Sequence, residues 1–267
     1  MKSIKELMDL SGRTALVTGG AGHIGMAMVD ALAEMGATVI ILDRDVVAIN
    51  RVADSVVERF GVDAFGIVVD LEDESAVKKV PQELNQFGCK LDILVNNAAF
   101  CGTSSLEGWA VPFEEQSVDT WRRALEVNLT AVFGLTQACT SLLRESSHAS
   151  VINVSSIYGV LGPDMSLYDG TEMGNPAAYA ASKGGLVQLT RWLATTLGPD
   201  IRVNTISPGG LERGQPEVFQ NRYAVRTPLK RMGTEEDFKG TTAFLASDLS
   251  SYMTGQNIMV DGGWSSW

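Results

Sequence analysis

A chain of 267 residues with 45% apolar side chains can bury one substantial core, and α/β chains of this length commonly form a single domain. The net charge of −11 and the lack of any run of Lys and Arg argue against nucleic acid as a partner. No apolar run reaches the roughly 18 residues of a membrane span, so no membrane partner is expected. The opening MKSIKELMDLSG is short, amphipathic and without a signal-peptide core, so a soluble, cytoplasmic protein is expected.

Cys89, Cys101 and Cys139 are odd in number and far apart, which suits reduced thiols better than a disulfide framework. The only histidines are His23 and His148, and neither CxxC nor HExxH spacing occurs, so no dedicated metal site is expected.

In chain order, short β-branched runs alternate with longer helical patterns. TALVT is followed by a helix from about Ile24, TVIILD by a helix from about Val46, and AFGIVVD by a helix from about Glu74. LDILVNN precedes a long helix over about 119–144, SVINVS precedes a helix carrying AAYAASKGG, and IRVNTIS precedes a helix near 235–245 and the closing strand QNIMVDGG. Seven strands interleaved with helices imply an α/β fold, a doubly wound parallel sheet covered on both faces and joined by right-handed crossovers. Residues 101–116, 159–175 and 209–233 read as irregular. All follow strands near the carboxyl edge, where open α/β sheets bind ligands, so they are assigned to a substrate pocket.

ALVTGGAGHIGMAMVDAL has the strand, glycine turn and helix order of a dinucleotide phosphate site. Gly19 permits the tight turn, Gly22 lets backbone approach a pyrophosphate, and Gly25 allows close packing of the helix. That helix opens at His23 and Ile24 with its N-terminus toward the anion. His23 either lines the phosphate site or caps the helix. TVIILD ends in Asp43, 18 residues past Gly25, close to the interval at which a carboxylate meets the adenosine ribose hydroxyls. A carboxylate there accepts from a free 2′-hydroxyl and repels a 2′-phosphate, which favours NAD. Arg44 follows directly and offers a route to NADP if Asp43 turns away.

In AAYAASKGG, Tyr179 and Lys183 stand four residues apart and so share one helix face. A tyrosine with a pKa of about 10 must be brought down by roughly 3 units, about 4 kcal/mol, to act as a base near neutrality. One ammonium at roughly 4 Å, with an effective dielectric near 20, supplies about that much, and burial of the phenolate opposes it. Lys183 is therefore expected to lower the tyrosine pKa.

The strand SVINVSSIYG ending in hydroxyls, the glycine turn and the Tyr/Lys helix together resemble the short-chain dehydrogenase/reductase family over nearly the whole chain. The resemblance implies a Rossmann-type sheet, an NAD(P) cofactor and interconversion of a secondary alcohol and a ketone. It also implies a homo-oligomer, commonly a tetramer or otherwise a dimer.

Residue by residue, VVDL places Asp70 and Leu71 at the adenine, and LVNNAA places Asn97 and Ala98 along the cofactor, with Asn96 and Asn97 also tying neighbouring strands. EVNLTAVFG places Asn128 where the family bends a helix and holds a water in a proton relay; an incidental buried amide is the alternative. Ser155 and Ser156 face opposite sides of an extended strand, and alignment of NVSSIYG puts the catalytic hydroxyl at Ser156. Asn128, Ser156, Tyr179 and Lys183 then form the catalytic set. Tyr179 and Lys183 also meet the cofactor, Lys183 at the nicotinamide ribose. SPGGLERG brings Pro208, Gly209 and Leu211 to the nicotinamide amide.

Two departures stand out. The glycines fall as TGxxGxxG, with His23 at the usual middle glycine. Arg213 lies near the place where many relatives have a threonine bonding the amide.

The irregular stretches carry Glu107, Trp109, Phe113, Asp164, Tyr168, Asp169, Glu172, Arg213, Arg222 and Tyr223, a mixture suited to a hydroxylated, sugar-like compound. Trp264 and Trp267 are expected as subunit contacts. Two rival readings are a dinucleotide-binding sensor without turnover and a sugar-nucleotide epimerase or dehydratase. The intact catalytic set argues against the first, and the short C-terminal part against the second.

Overall fold

The computed structural model describes residues 1–88, 90–101 and 104–267. Cys89 and two positions of the 101–116 stretch therefore lie outside the described residues. The elements run α1 (Ile4–Met8), β1 (Thr14–Thr18), α2 (His23–Glu34), β2 (Thr38–Asp43), α3 (Val46–Phe60), β3 (Ala64–Val68), α4 (Glu74–Gln86) and β4 (Ile93–Asn96). They continue with α5 (Val118–Leu125), a π-helical turn (Glu126–Thr130), α6 (Ala131–Arg144), β5 (Ser150–Val154), α7 (Ala177–Leu197), β6 (Arg202–Pro208), α8 (Glu217–Arg226), α9 (Lys239–Ala246) and β7 (Asn257–Val260).

All seven strands are parallel, in the order β3-β2-β1-β4-β5-β6-β7. This is the doubly wound Rossmann-type sheet expected from the alternation. β1, β4 and β5 are buried along their whole length, as unbroken apolar runs in a two-sided sheet must be. Alternate residues feed two cores. Leu16 packs toward α4, α6 and α7, where Val80, Leu135 and Leu193 are buried. Ala15 and Val17 pack toward α2, α3 and α9, where Met28, Val52 and Leu245 are buried. Between β1 and β4 the winding reverses, and the crevice beyond their carboxyl ends is where such sheets accept a ligand. No helix among the described residues is long and apolar enough to cross a membrane.

Two departures from the sequence reading have physical causes. The helix expected over 119–144 is interrupted by the π turn at Glu126–Thr130, where Ala131 N–H bonds Glu126 C=O. The bend lies at Asn128, whose amide bonds outward to Phe100 and Ser182. The 209–233 stretch is not wholly irregular either. α8 forms there after Pro216, a residue well suited to a helix start, and buries Phe219 and Tyr223 one turn apart.

A third core joins the remaining loops: Ile157, Leu167, Phe219, Tyr223, Met232 and Trp264. Trp264 stacks on Tyr223 with ring centroids 4.3 Å apart and is 8% exposed, so within the chain it is a core residue that leaves little surface for the subunit contact expected. Trp267 is exposed, with its indole N–H on Arg226 C=O at 3.2 Å.

Candidate active site

One cavity of about 490 Å³ runs from the carboxyl ends of β1 and β2 to the loops after β5 and β6. Every residue expected at the cofactor lines it: Gly19, Gly22, His23, Ile24 and Gly25, then Asp43, Arg44, Asp70, Leu71, Asn97 and Ala98, and finally Tyr179, Lys183, Pro208, Gly209 and Leu211. Ser155 and Ser156 line it too, whereas Asn128 does not.

At the first end the glycines leave no room for side chains. Gly19 has φ +61°, and a Cβ there would meet Ala98 Cα at 2.9 Å. A Cβ on Gly25 would fall 2.0 Å from Gly19 O. Gly22 caps α2 with no side-chain bond to the helix, unlike Asp45 on α3 and Asp73 on α4. An uncapped helix start opening on a cavity offers its N–H groups to an anion, so the cradle fits a dinucleotide pyrophosphate. His23 is largely exposed and turns its Nδ1 to Glu235 Oε1 at 3.6 Å.

Asp43 closes the turn from the side. Its Oδ2 accepts from Ala21 N–H at 3.3 Å and its Oδ1 from Arg44 N–H at 2.8 Å. Asn97 holds the turn from below: its Nδ2 donates to Thr18 O at 3.0 Å and Gly19 O at 3.1 Å. Thr18 Oγ1 in turn accepts from the N–H groups of Asn97 and Ala98. Thr18 is a site residue missed from the sequence; a threonine closing the strand before a glycine turn was the available signal. Asn96 bonds Asn153 Oδ1 at 2.9 Å and so ties β4 to β5.

Asn128 is fully buried. Its Oδ1 accepts from Phe100 N–H at 2.8 Å, and its Nδ2 donates to Phe100 O at 2.9 Å and Ser182 Oγ at 3.1 Å. The amide thus clamps the β4 loop to α7.

The second end carries the residues expected to be catalytic other than Asn128. Ser156 Oγ lies near enough to the Tyr179 hydroxyl to favour its phenolate. Ser156 Oγ also accepts from Tyr158 N–H at 3.2 Å. Ser155 Oγ donates instead to Lys183 O at 2.8 Å, so of the two adjacent serines Ser156 is the one at the phenol. Lys183 Nζ donates to Val154 O at 2.7 Å and lies 5.8 Å from the centroid of the Tyr179 ring.

The expected fall of the tyrosine pKa is not found in the protein alone. Burial pushes the Tyr179 phenol up to about 12, against the opposing pull of Ser156 and the Arg213 guanidinium. Burial also lowers Lys183 to about 8. The ammonium is held on the Val154 carbonyl, and desolvation of the phenol prevails.

Tyr168, Arg213 and Tyr223 line the cavity as expected. The other substrate-loop residues are employed elsewhere. Arg222 donates to Leu167 O and Asp169 O, and Arg226 pairs with Asp164, bolting the 159–175 insert to α8. Trp109 is buried with its indole on Cys101 O at 2.7 Å, and Phe113 is exposed. Glu107 and Glu172 are likewise not among the lining residues. Tyr158 and Asn175, not singled out in the sequence, do line the cavity. The two tyrosine hydroxyls, Tyr158 and Tyr168, lie 3.1 Å apart, and Asn175 Oδ1 is buried without a partner among the described residues.

A family model described as enoyl-(acyl carrier protein) reductase matches residues 19–265. The chain belongs to the short-chain dehydrogenase/reductase family. As such it is an oxidoreductase with a nicotinamide dinucleotide cofactor. It is similar to a rhamnolipid-biosynthesis 3-oxoacyl-(acyl-carrier-protein) reductase of Pseudomonas aeruginosa, with 36% identity covering 96% of this chain and 97% of the relative. Among solved structures it is similar to a gluconate 5-dehydrogenase of Burkholderia cenocepacia in complex with NADP and tartrate. That likeness has a TM-score of 0.88 and 29% identity, and covers 99% of this chain and 100% of that one. It is also similar to an NAD⁺-bound xylitol dehydrogenase, with a TM-score of 0.84 and 33% identity, covering 95% of this chain and 99% of that one.

Proposed function

We propose that the protein interconverts a secondary alcohol and a ketone on a hydroxylated, sugar-like substrate, using NAD. The observation that carries this reading is the placement of Ser156, Tyr179 and Lys183 together on the wall of the cavity whose other end is the glycine cradle.

The cofactor would be held by the backbone of Gly19, Gly22, His23, Ile24 and Gly25 at its pyrophosphate and by Asp43 at the ribose. Asp70 and Leu71 flank its adenine, Asn97, Ala98 and Lys183 the nicotinamide ribose, and Pro208 to Leu211 the amide. When bound, it accepts or returns the hydride of the carbinol carbon. Ser156 holds the substrate oxygen by a hydrogen bond. Tyr179 takes the hydroxyl proton as the carbonyl forms, and in the reverse direction returns it. Lys183 and Arg213 supply positive charge that favours phenolate against burial. Asn128 is a positioning residue: by clamping Phe100 to Ser182 it fixes α7, and with it Tyr179, against the β4 loop.

NAD is favoured by Asp43, whose carboxylate stands beside the glycine turn where a 2′-phosphate would meet it. A second reading, NADP, is supported by relatives solved with NADP and by Arg44 at the cavity wall. The sugar-like substrate is supported by the unpartnered Asn175 Oδ1 and the Tyr158 and Tyr168 hydroxyls, and by relatives named for gluconate and xylitol.

The test is a cofactor-reduction screen over polyols, sugars and hydroxy acids with NAD⁺ and NADP⁺ in parallel. Turnover of a secondary alcohol with NAD⁺ ahead of NADP⁺ is expected. Tight NAD⁺ binding without reduction by any alcohol would replace this reading with a sensor.

A further inference from the structure

The reaction end of the cavity carries a guanidinium that itself transfers neither proton nor hydride and keeps donors free. Arg213 follows β6 in the loop that closes the site, and its side chain is about 23% exposed. The loop is pinned around it: Arg213 N–H donates to Gln215 Oε1 at 2.7 Å, and Gln215 Nε2 donates to Leu211 O at 2.6 Å. The guanidinium rests on Glu235 through Nε alone, at 3.3 Å. No bond among the described residues takes up the Nη1 or Nη2 donors. Arg213 is near enough to Tyr179 for its charge to act on the phenol.

Among the described residues lining the cavity, the carboxylates are Asp43 and Asp70, both at the cofactor end. The reaction end therefore presents Lys183, committed to Val154 O, and Arg213, with its forked donors directed at no protein acceptor. A neutral polyol offers the free fork no matching charge. A planar anion does, because the fork matches a carboxylate with two parallel hydrogen bonds.

We propose that the substrate is a hydroxy acid or keto acid whose carboxylate is bound by Arg213 while its carbinol or carbonyl faces Ser156 and Tyr179. This rests on the alcohol–ketone chemistry proposed above and narrows its substrate class. The carboxylate is unchanged by the reaction. The carbinol carbon gives its hydride to NAD⁺, the hydroxyl proton passes to Tyr179, and the C–O single bond becomes C=O.

The experiment compares matched pairs that differ in one terminal group, gluconate with sorbitol and galactonate with galactitol, on the NAD⁺-bound wild type, Arg213→Gln and Arg213→Lys. Wild type is expected to favour the acids by at least about 30-fold in kcat/KM, as a charge-assisted pair implies. Arg213→Gln is expected to bring the pairs within about 3-fold of each other, chiefly through KM, with the NAD⁺ dissociation constant changed by less than about 2-fold. Arg213→Lys should restore part of the preference, which a merely structural role would not do. Wild type preferring the polyols, or Arg213→Gln losing NAD⁺ affinity instead, overturns the carboxylate site but leaves alcohol oxidation standing. Acids that neither turn over nor raise the melting temperature of the NADH-bound enzyme overturn it as well. If no alcohol of any kind reduces NAD⁺, the reading beneath it falls too.

Discussion

At the cofactor end of the cavity, the partners are mainly strand ends and backbone. Asp43 reaches Ala21 only 22 positions away, Gly19, Gly22 and Gly25 meet within one turn, and the longer reach of Asn97 to Gly19, across 78 positions, runs between the paired strands β1 and β4. At the substrate end the partners come from distant loops: Arg222 meets Asp169 across 53 positions and Arg226 meets Asp164 across 62. The first end offers N–H groups whose placement depends on the lack of side chains. The second binds with side chains whose placement depends on other side chains. A dinucleotide end should therefore tolerate almost no substitution at its turn, and a substrate end should be retunable at modest cost.

Asn128 stands at the joint between the two, and its removal should have the largest effect on stability. Asn128→Ala leaves Phe100 N–H and C=O without their amide partner inside the protein, at about 1–3 kcal/mol for each orphaned group. Chemical denaturation should show a stability loss of that order, and kcat should fall more than NAD⁺ affinity.

Gly25→Val tests the claim about the turn. Its Cβ would fall 2.0 Å from Gly19 O, an overlap that backbone must relieve at about 1–3 kcal/mol. Titration should show NAD⁺ affinity lowered by at least about tenfold, with weaker effects if the turn can shift. Asp43→Ala should leave the fold intact and move the NAD⁺ to NADP⁺ ratio of kcat/KM toward NADP⁺ by about tenfold, or about 1.4 kcal/mol. An unchanged ratio would pass the choice to Arg44.

The smallest effect belongs to the insert. Arg226 is half exposed, so Arg226→Ala should cost no more than about 1 kcal/mol. Its mark should be a raised KM for substrate with NAD⁺ binding intact, read from steady-state kinetics.

The same contrast explains what could be read from the sequence. β1 and β2 were legible to the residue, as was the start of α3 at Val46, because unbroken β-branched runs and an Asp cap declare themselves locally. The glycine spacing and Asp43 were legible because a turn around an anion constrains consecutive residues. Arg222, Asp164 and Asp169 were misassigned to the substrate because charge in a loop says nothing about a partner more than 50 positions away. Trp264 looked like a subunit contact because its stacking partner Tyr223 lies on a helix that was read as loop. The Tyr179 and Lys183 spacing was right. Its electrostatic consequence was not, because burial, invisible to spacing, raises the phenol in the protein alone.

The central claim is that Tyr179 carries the proton. Burial holds its phenol above the ordinary tyrosine value, so the phenolate needed for oxidation grows as pH rises, while the phenol needed for reduction is already present at neutrality. The direct measurement is the pH dependence of NAD⁺ reduction by a turned-over alcohol in wild type and Tyr179→Phe. Wild type should rise about tenfold per pH unit below the phenol's pKa, and Tyr179→Phe should be at least about 100-fold slower with no such slope. A Tyr179→Phe enzyme that keeps both the rate and the slope would contradict the account.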